Sequence, residues 1–340
     1  MMLSYAGRLR AELTARNRIF ARGHPHVESH GSNPVVVYVP EPGRHGNFYA
    51  PAYEAISGRP AWMRRFEKIH TQWRSLPKPH LDPARKWREL DSAMSSDALL
   101  MSVFCTTEVT QSAELRSMMG VDQEVWPEFG WKARVPLRNG RLDRTEVDMR
   151  WGDLLVEAKL TETDFQCREA KLIDAYRDLD KVLNRAMLPT AQLRTIRRRH
   201  AIEFAEEFSQ EWEASGRDSE EIARAFHAEI EARAEAEQRW EPGYGSYQLI
   251  RNVLAAYSAG ASFCVIHDER RPDLYEAWFE VMRAVKDAEM RVRCKVLTWQ
   301  ELTPYLPLAL QEFLDVKYGI VAPGSRPRDI GNLVNLRGES

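Results

Sequence analysis

The sequence predicts an α/β protein: a mixed central sheet with helices on both faces, interrupted by a long helical insertion. Three observations carry this. Apolar residues recur at helical spacing between 95 and 119, with Leu99, Leu100, Val103 and Phe104 on one face and Gly120 as the stop. Three strand-like runs follow, WKARVPL at 131–137, TEVDMRW at 145–151 and LLVEAKL at 154–160. After a highly charged stretch, the pattern resumes as helix, strand, helix and strand up to about Tyr318.

Each element has its own reason. Residues 1–94 form an N-terminal accessory region of irregular pattern. Within it VVVYVP at 35–40 reads as one short buried strand, and three prolines between Trp73 and Trp87 suggest a closing loop. Residues 95–320 are the core, with a charged helical insertion over 161–243. Beyond the insertion, YQLIRNVLAAY at 247–257 has helical spacing, ASFCVIHD at 261–268 reads as a strand, a helix runs from about Pro272 to Met290, and VRCKVLTW at 292–299 is a further strand. Residues 321–340 are rich in Gly, Pro and Arg and read as a loose tail.

Composition narrows the class. The chain has 340 residues, 44% hydrophobic and 29% charged, an ordinary globular mixture. No apolar run reaches the roughly 20 residues of a membrane span, and the first residues lack a secretory apolar block. The four cysteines are scattered without zinc spacing, so a reducing cytoplasm is expected. A net charge of −2 means that phosphate binding must come from local patches.

The chemistry concentrates in RTEVDMRWGDLLVEAKL. Gly152-Asp153 suits the two-residue loop of a type II′ hairpin, which pairs Trp151 with Leu154. Counting outward, Asp148 then faces Glu157 and Glu146 faces Lys159, with opposed Cβ atoms roughly 5 Å apart. Period-two alternation puts Glu157 and Lys159 on one face, while Val147, Met149, Leu154, Val156, Ala158 and Leu160 suit a core. Two adjacent carboxylates repel unless a cation lies between them. Hard oxygen ligands of this kind suit Mg²⁺, which shares phosphate oxygens and activates water. Lys159 would position that water and offset developing charge.

Asp148 followed by Glu157-Ala158-Lys159 on the next strand resembles the signature of the PD-(D/E)xK nuclease superfamily. VEAKLTETDFQ, YQLIRNVLAAY and VLTWQEL are similar to a restriction-endonuclease-like bacterial branch of it, over about residues 95–318. The resemblance implies an αβββαβ core, Asp148 and Glu157 as metal ligands with the Ala158 carbonyl, Lys159 as catalytic lysine, Mg²⁺ with Mn²⁺ as a substitute, and DNA as substrate. The proline that usually precedes the aspartate is Val147 here. The resemblance further implies an acidic residue on the first helix, for which Glu108 and Glu114 are candidates. It also implies that Gln248 reaches the active site or the nucleic-acid backbone.

Each of these has a plainer counterpart. A surface hairpin stabilised by a Glu146–Lys159 pair would look similar. EAKL recurs at 169–172, where Leu172, Ile173, Tyr176 and Leu179 follow a helix, so Glu169 and Lys171 are expected on different sides of a solvated surface. Arg194, Arg197, Arg198 and Arg199 could bind phosphates, as could Arg251, or the insertion arginines could pair with Glu203, Glu206 and Glu207. His267-Asp268 suits a locally bonded turn, and Trp62, Trp73 and Trp87 suit packing as well as base stacking. Against the endonuclease stand an inactive binding module on the same fold and an insertion that serves as a partner-binding arm. Cutting both strands of a duplex would favour a homodimer.

Overall fold

A computed structural model describes residues 3–29, 34–70, 86–122, 124–195 and 239–329. Trp73, the three prolines before Trp87, Arg197, Arg198 and Arg199 lie outside the described residues, as does most of the insertion.

In chain order the principal elements are α1 (Tyr5–Phe20), α2 (Ser96–Phe104), β1 (Glu128–Lys132), β2 (Glu146–Trp151), β3 (Leu154–Ala158), α3 (Tyr247–Ala259), β4 (Ser262–His267), α4 (Pro272–Met282), β5 (Cys294–Thr298) and α5 (Leu308–Tyr318). The five strands make one mixed sheet in the order β5-β4-β3-β2-β1. β2 pairs antiparallel with both β1 and β3, whereas β4 runs parallel to both β3 and β5. The chemistry of the connections explains the switch. Gly152, at φ 59°, closes β2 and β3 through a two-residue turn in which Trp151 pairs with Leu154. Parallel neighbours need long crossovers, which α3 and α4 supply.

Helices cover both faces, so β3 is buried along its whole length. On one face Leu155, Phe263 and Val265 meet Val253 and Leu254 of α3 and Trp278 of α4. On the other, Met149, Trp151, Val156 and Ile266 meet Leu99 and Val103 of α2, with Leu13 of α1 and Leu314 of α5 completing the layer. β3 is therefore the central strand, apolar on one face and interrupted on the other only by Glu157, with Lys159 just past its end.

Several expectations change. The stretch 95–119 is three helices, α2, Thr107–Gln111 and Ala113–Met119, because the Ser112 hydroxyl accepts the Leu115 N–H and restarts the chain. Asp287 caps a separate helix, Ala288–Arg293, in the same way, so the helix from Pro272 ends at Met282. The described ends of the insertion form short helices, Ala170–Asp174 and Leu179–Val182, beside a three-stranded antiparallel sheet of Arg168–Glu169, Thr190–Thr195 and Arg239–Tyr244. Pro242 and Gly243 are incompatible with a continuous helix there. Glu169 ends a strand and Lys171 opens a helix, so the two pair with each other instead of pointing apart. The strand expected at 131–137 lies earlier, at 128–132.

The largest revision is α1, in a region that the sequence pattern leaves irregular. Its buried stripe includes Arg16 and Asn17 beside Leu9 and Leu13, and polar residues break the apolar count. Asn17 accepts from the Tyr38 hydroxyl at 2.8 Å and donates to the Leu13 and Lys317 carbonyls. Lys317 is wholly buried, donates to Asn47 and to the Tyr318 hydroxyl, and faces the rings of Phe20, Tyr38, Phe313 and Tyr318. The N-terminal region thus shares its packing with α5. Leu13→Ala should destabilise the whole protein by about 2–5 kcal/mol in chemical denaturation, as a core truncation does; loss confined to a separate early transition would show that α1 is an independent unit.

Candidate active site

The hairpin of β2 and β3 opens where its charged residues lie. Among the described residues the two strands pair only from Trp151↔Leu154 to Met149↔Val156. Beyond that, β2 stays with β1 through Val147 and Glu146, while β3 stays with β4 through Glu157 and Ala158. Asp148 and Glu157 flank the resulting fork. The Ala158 N–H, freed from the β2 backbone, donates instead to Asp148 Oδ2 at 2.9 Å. The Lys159 backbone is held from two sides: its N–H donates to the Ile266 carbonyl at 2.8 Å, and its carbonyl accepts from Trp299 Nε1 at 3.1 Å.

Glu157 and Lys159 occupy one face, as their spacing predicts. Both are buried, at 1% and 4% exposure, and Lys159 Nζ donates to Glu157 Oε1 at 2.8 Å. The alternative Glu146–Lys159 pair does not form; Glu146 instead faces Lys68, at 3.2 Å, and Arg65. The first turns of α3 descend onto Glu157. Gln248 Nε2 donates to Oε1 at 2.8 Å, and Asn252 Nδ2 donates to Oε2 at 2.7 Å. These two residues are one helical turn apart on the same face, so both amides reach one carboxylate.

Burial, the nearby Glu157 and then Asp97 push the Asp148 carboxyl well above the usual carboxylate range. Burial alone would lower the Lys159 amine, but Glu157, Glu162 and Asp148 outweigh it and hold the amine charged. Ionising both carboxylates would therefore leave the site with more negative charge than one lysine neutralises. Gln248 Oε1 is buried and lacks a hydrogen-bond partner, which leaves an unmatched acceptor on the amide that holds Glu157. Two hard carboxylates with an unmatched acceptor beside them fit a hydrated divalent cation of the Mg²⁺ type. Among the described residues no cluster of three or more His, Cys, Asp or Glu side chains forms a metal site by side chains alone. A cation here would have to be completed by water, backbone or substrate.

Some expected residues sit elsewhere. Glu108 and Glu114 are exposed, and Glu114 accepts from Ser112 at its own helix start. The acidic residue that the first helix brings towards the site is Asp97 in the first turn of α2, bonded to the buried Arg65. Glu162, after β3, accepts from Ser96 and from the Leu160 N–H. Asp97, Arg65 and Glu162 carry no sequence signal of their own, because residues distant in sequence place them. Arg251, expected at phosphate, is buried with its guanidinium bonded to Asn252 and to the Glu146 carbonyl. Arg194 lies on the outer sheet, paired through its backbone with Trp240. Asp268 is engaged by Arg270 in a local turn, and Trp62 and Trp87 are buried packing residues.

Fold and site together define an α/β protein with a buried acidic centre at a forked hairpin. A family model described as Restriction Endonuclease associating with ARP matches residues 14–319, and the chain belongs to that family. The family is restriction-endonuclease-like, which suggests a nuclease. No curated protein and no solved structure matches the chain.

The electrostatics give a pH test. A carboxyl raised above its unfolded value ionises later in the fold, so its penalty is absent below about pH 4 and grows as pH rises towards the folded pKa. Asp148→Asn keeps an acceptor for the Ala158 N–H and removes the charge. In EDTA it should raise the melting temperature at pH 8 and leave it nearly unchanged at pH 4; an equal shift at both would contradict the assigned repulsion.

Proposed function

We propose that this protein is a Mg²⁺-dependent endonuclease of the PD-(D/E)xK type, hydrolysing phosphodiester bonds in DNA. The observation that carries the reading is the fork itself, which sets Asp148 and Glu157 side by side with Lys159 bonded to one of them. The order α2, β1, β2, β3, α3, β4 supports an αβββαβ core. Asp148, Glu157 and the Ala158 carbonyl would hold the cation, with Mn²⁺ as a substitute. Such a cation supplies Lewis acidity towards a phosphoryl oxygen and lowers the pKa of a bound water.

The chain's own groups do the rest. Lys159, kept protonated by its acidic surroundings, stabilises negative charge that builds on the phosphate. Gln248 holds Glu157 through Nε2, and its unmatched Oε1 would orient a water by accepting a hydrogen bond from it. A groove of about 530 Å³ lies along β1, one strand from Asp148, with the exposed Arg64 and Lys132 on its lining. It offers a path by which a phosphate backbone would approach. Arg194, Arg197 and Arg198 are proposed as further phosphate contacts from the insertion. We also assign a cytoplasmic location, a homodimer for duplex cutting, and the ARP association that the family's name carries.

Cleavage of supercoiled plasmid and of single-stranded DNA with Mg²⁺ or Mn²⁺ tests this. EDTA should abolish turnover, and Asp148→Ala, Glu157→Ala or Lys159→Ala should each reduce it by at least about a hundredfold with the fold retained. Hydrolysis that persists in Lys159→Ala would defeat the assignment. A folded wild type that binds DNA without cutting it would favour the binding-module reading.

A further inference from the structure

We propose that Arg251 and Asn252 form a positioning clamp that sets the opening of the fork between β2 and β3, and so fixes Glu157 relative to Asp148. The inference rests on the metal-dependent reading above and assigns roles that the family match does not.

The geometry forms one chain of bonds across the gap. Arg251 Nη2 donates to the Glu146 carbonyl on β2 at 2.8 Å. The same guanidinium donates to Asn252 Oδ1, from Nη2 at 2.8 Å and from Nε at 3.1 Å. Asn252 Nδ2 then donates to Glu157 Oε2 on β3 at 2.7 Å. The path runs from one prong of the fork to the other through two neighbouring residues of α3, in the region where the two strands no longer pair with each other.

Three features make this a clamp instead of incidental packing. Arg251, Asn252 and Glu157 are all buried, at 4%, 0% and 1% exposure, so the bonds do not compete with bulk water. The guanidinium offers only donors, so it accepts one orientation of the Asn252 amide, with Oδ1 inward and Nδ2 towards Glu157. Glu157 Oε1 already receives Lys159 and Gln248, whereas Oε2 receives Asn252. Asn252 therefore sets the rotation of the carboxylate and thereby the direction of the lone pair left on Oε2. Partners of this kind behind a metal-holding group typically alter cation affinity by about 10–100-fold.

The test is direct Mn²⁺ binding by electron paramagnetic resonance, without DNA, beside circular dichroism and plasmid cleavage. Asn252→Ala should weaken Mn²⁺ binding at least about tenfold while the folded spectrum is retained, with cleavage partly recovered at high Mn²⁺. Arg251→Lys keeps the charge but loses the fork of donors, and should shift Mn²⁺ binding in the same direction. The double variant should bind Mn²⁺ no more weakly than the weaker single variant, because the two residues act as one unit. If Asn252→Ala does not fold, Arg251→Lys carries the test alone. Unchanged Mn²⁺ affinity in a folded variant, with wild type binding Mn²⁺ and cutting DNA, overturns the clamp and leaves the nuclease reading intact. A wild type that neither binds Mn²⁺ nor cuts DNA overturns the nuclease reading, and the clamp falls with it.

Discussion

Setting the half-buried Asp148 carboxylate beside the buried one of Glu157 is costly, and their surroundings are organised around that cost. Glu157 receives three side-chain donors, from Lys159, Gln248 and Asn252. Asp148 receives a backbone N–H. The arrangement makes Glu157 the firmly held partner and Asp148 the strained one, whose carboxyl is pushed up by burial and by Glu157. A carboxyl pushed up in this way beside a second carboxylate is the kind of perturbed group that clusters at functional sites.

Two regions far apart in sequence converge on this centre. From one side α3 places its polar first turns against the charged face of β3, while its apolar residues enter the core. From the other side the N-terminal region supplies Arg65, which lies among Asp97, Glu89 and Glu146 and balances part of the acidity behind Asp148. Gly130 leaves room for it: at φ 63° on β1, a Cβ there would stand 3.3 Å from Arg65 Cδ. The accessory segment is therefore part of the electrostatic surroundings of the site as well as of the shared core through α1.

The sequence revealed the parts of the fold whose signals are local. A glycine at a two-residue turn set the register of β2 and β3, and with it the neighbourhood of Asp148 and Glu157. Helical spacing over 247–257 located α3, because Leu249, Ile250, Val253, Leu254 and Ala256 keep an apolar repeat even though Arg251 and Asn252 are also buried. The rest depended on contacts that spacing does not encode. α1 was hidden because Arg16 and Asn17 are buried on its inward face, satisfied by partners about 300 residues away. Ser112 and Asp287 each split an expected helix through a single capping bond. Asn252, Arg65 and Asp97 are ordinary polar residues on the page, and only the fold gives them a carboxylate or a guanidinium to address. Arg251 shows the converse: a basic residue beside a candidate site suggests phosphate, and burial gives it a different occupation.

The most direct measurement of the central claim is a crystal structure of the wild-type protein grown with Mn²⁺, with anomalous scattering recorded at the manganese edge. A cation held as proposed gives an anomalous peak coordinated by both Asp148 and Glu157 within the fork. Manganese bound elsewhere, with these two carboxylates left unliganded, would contradict it.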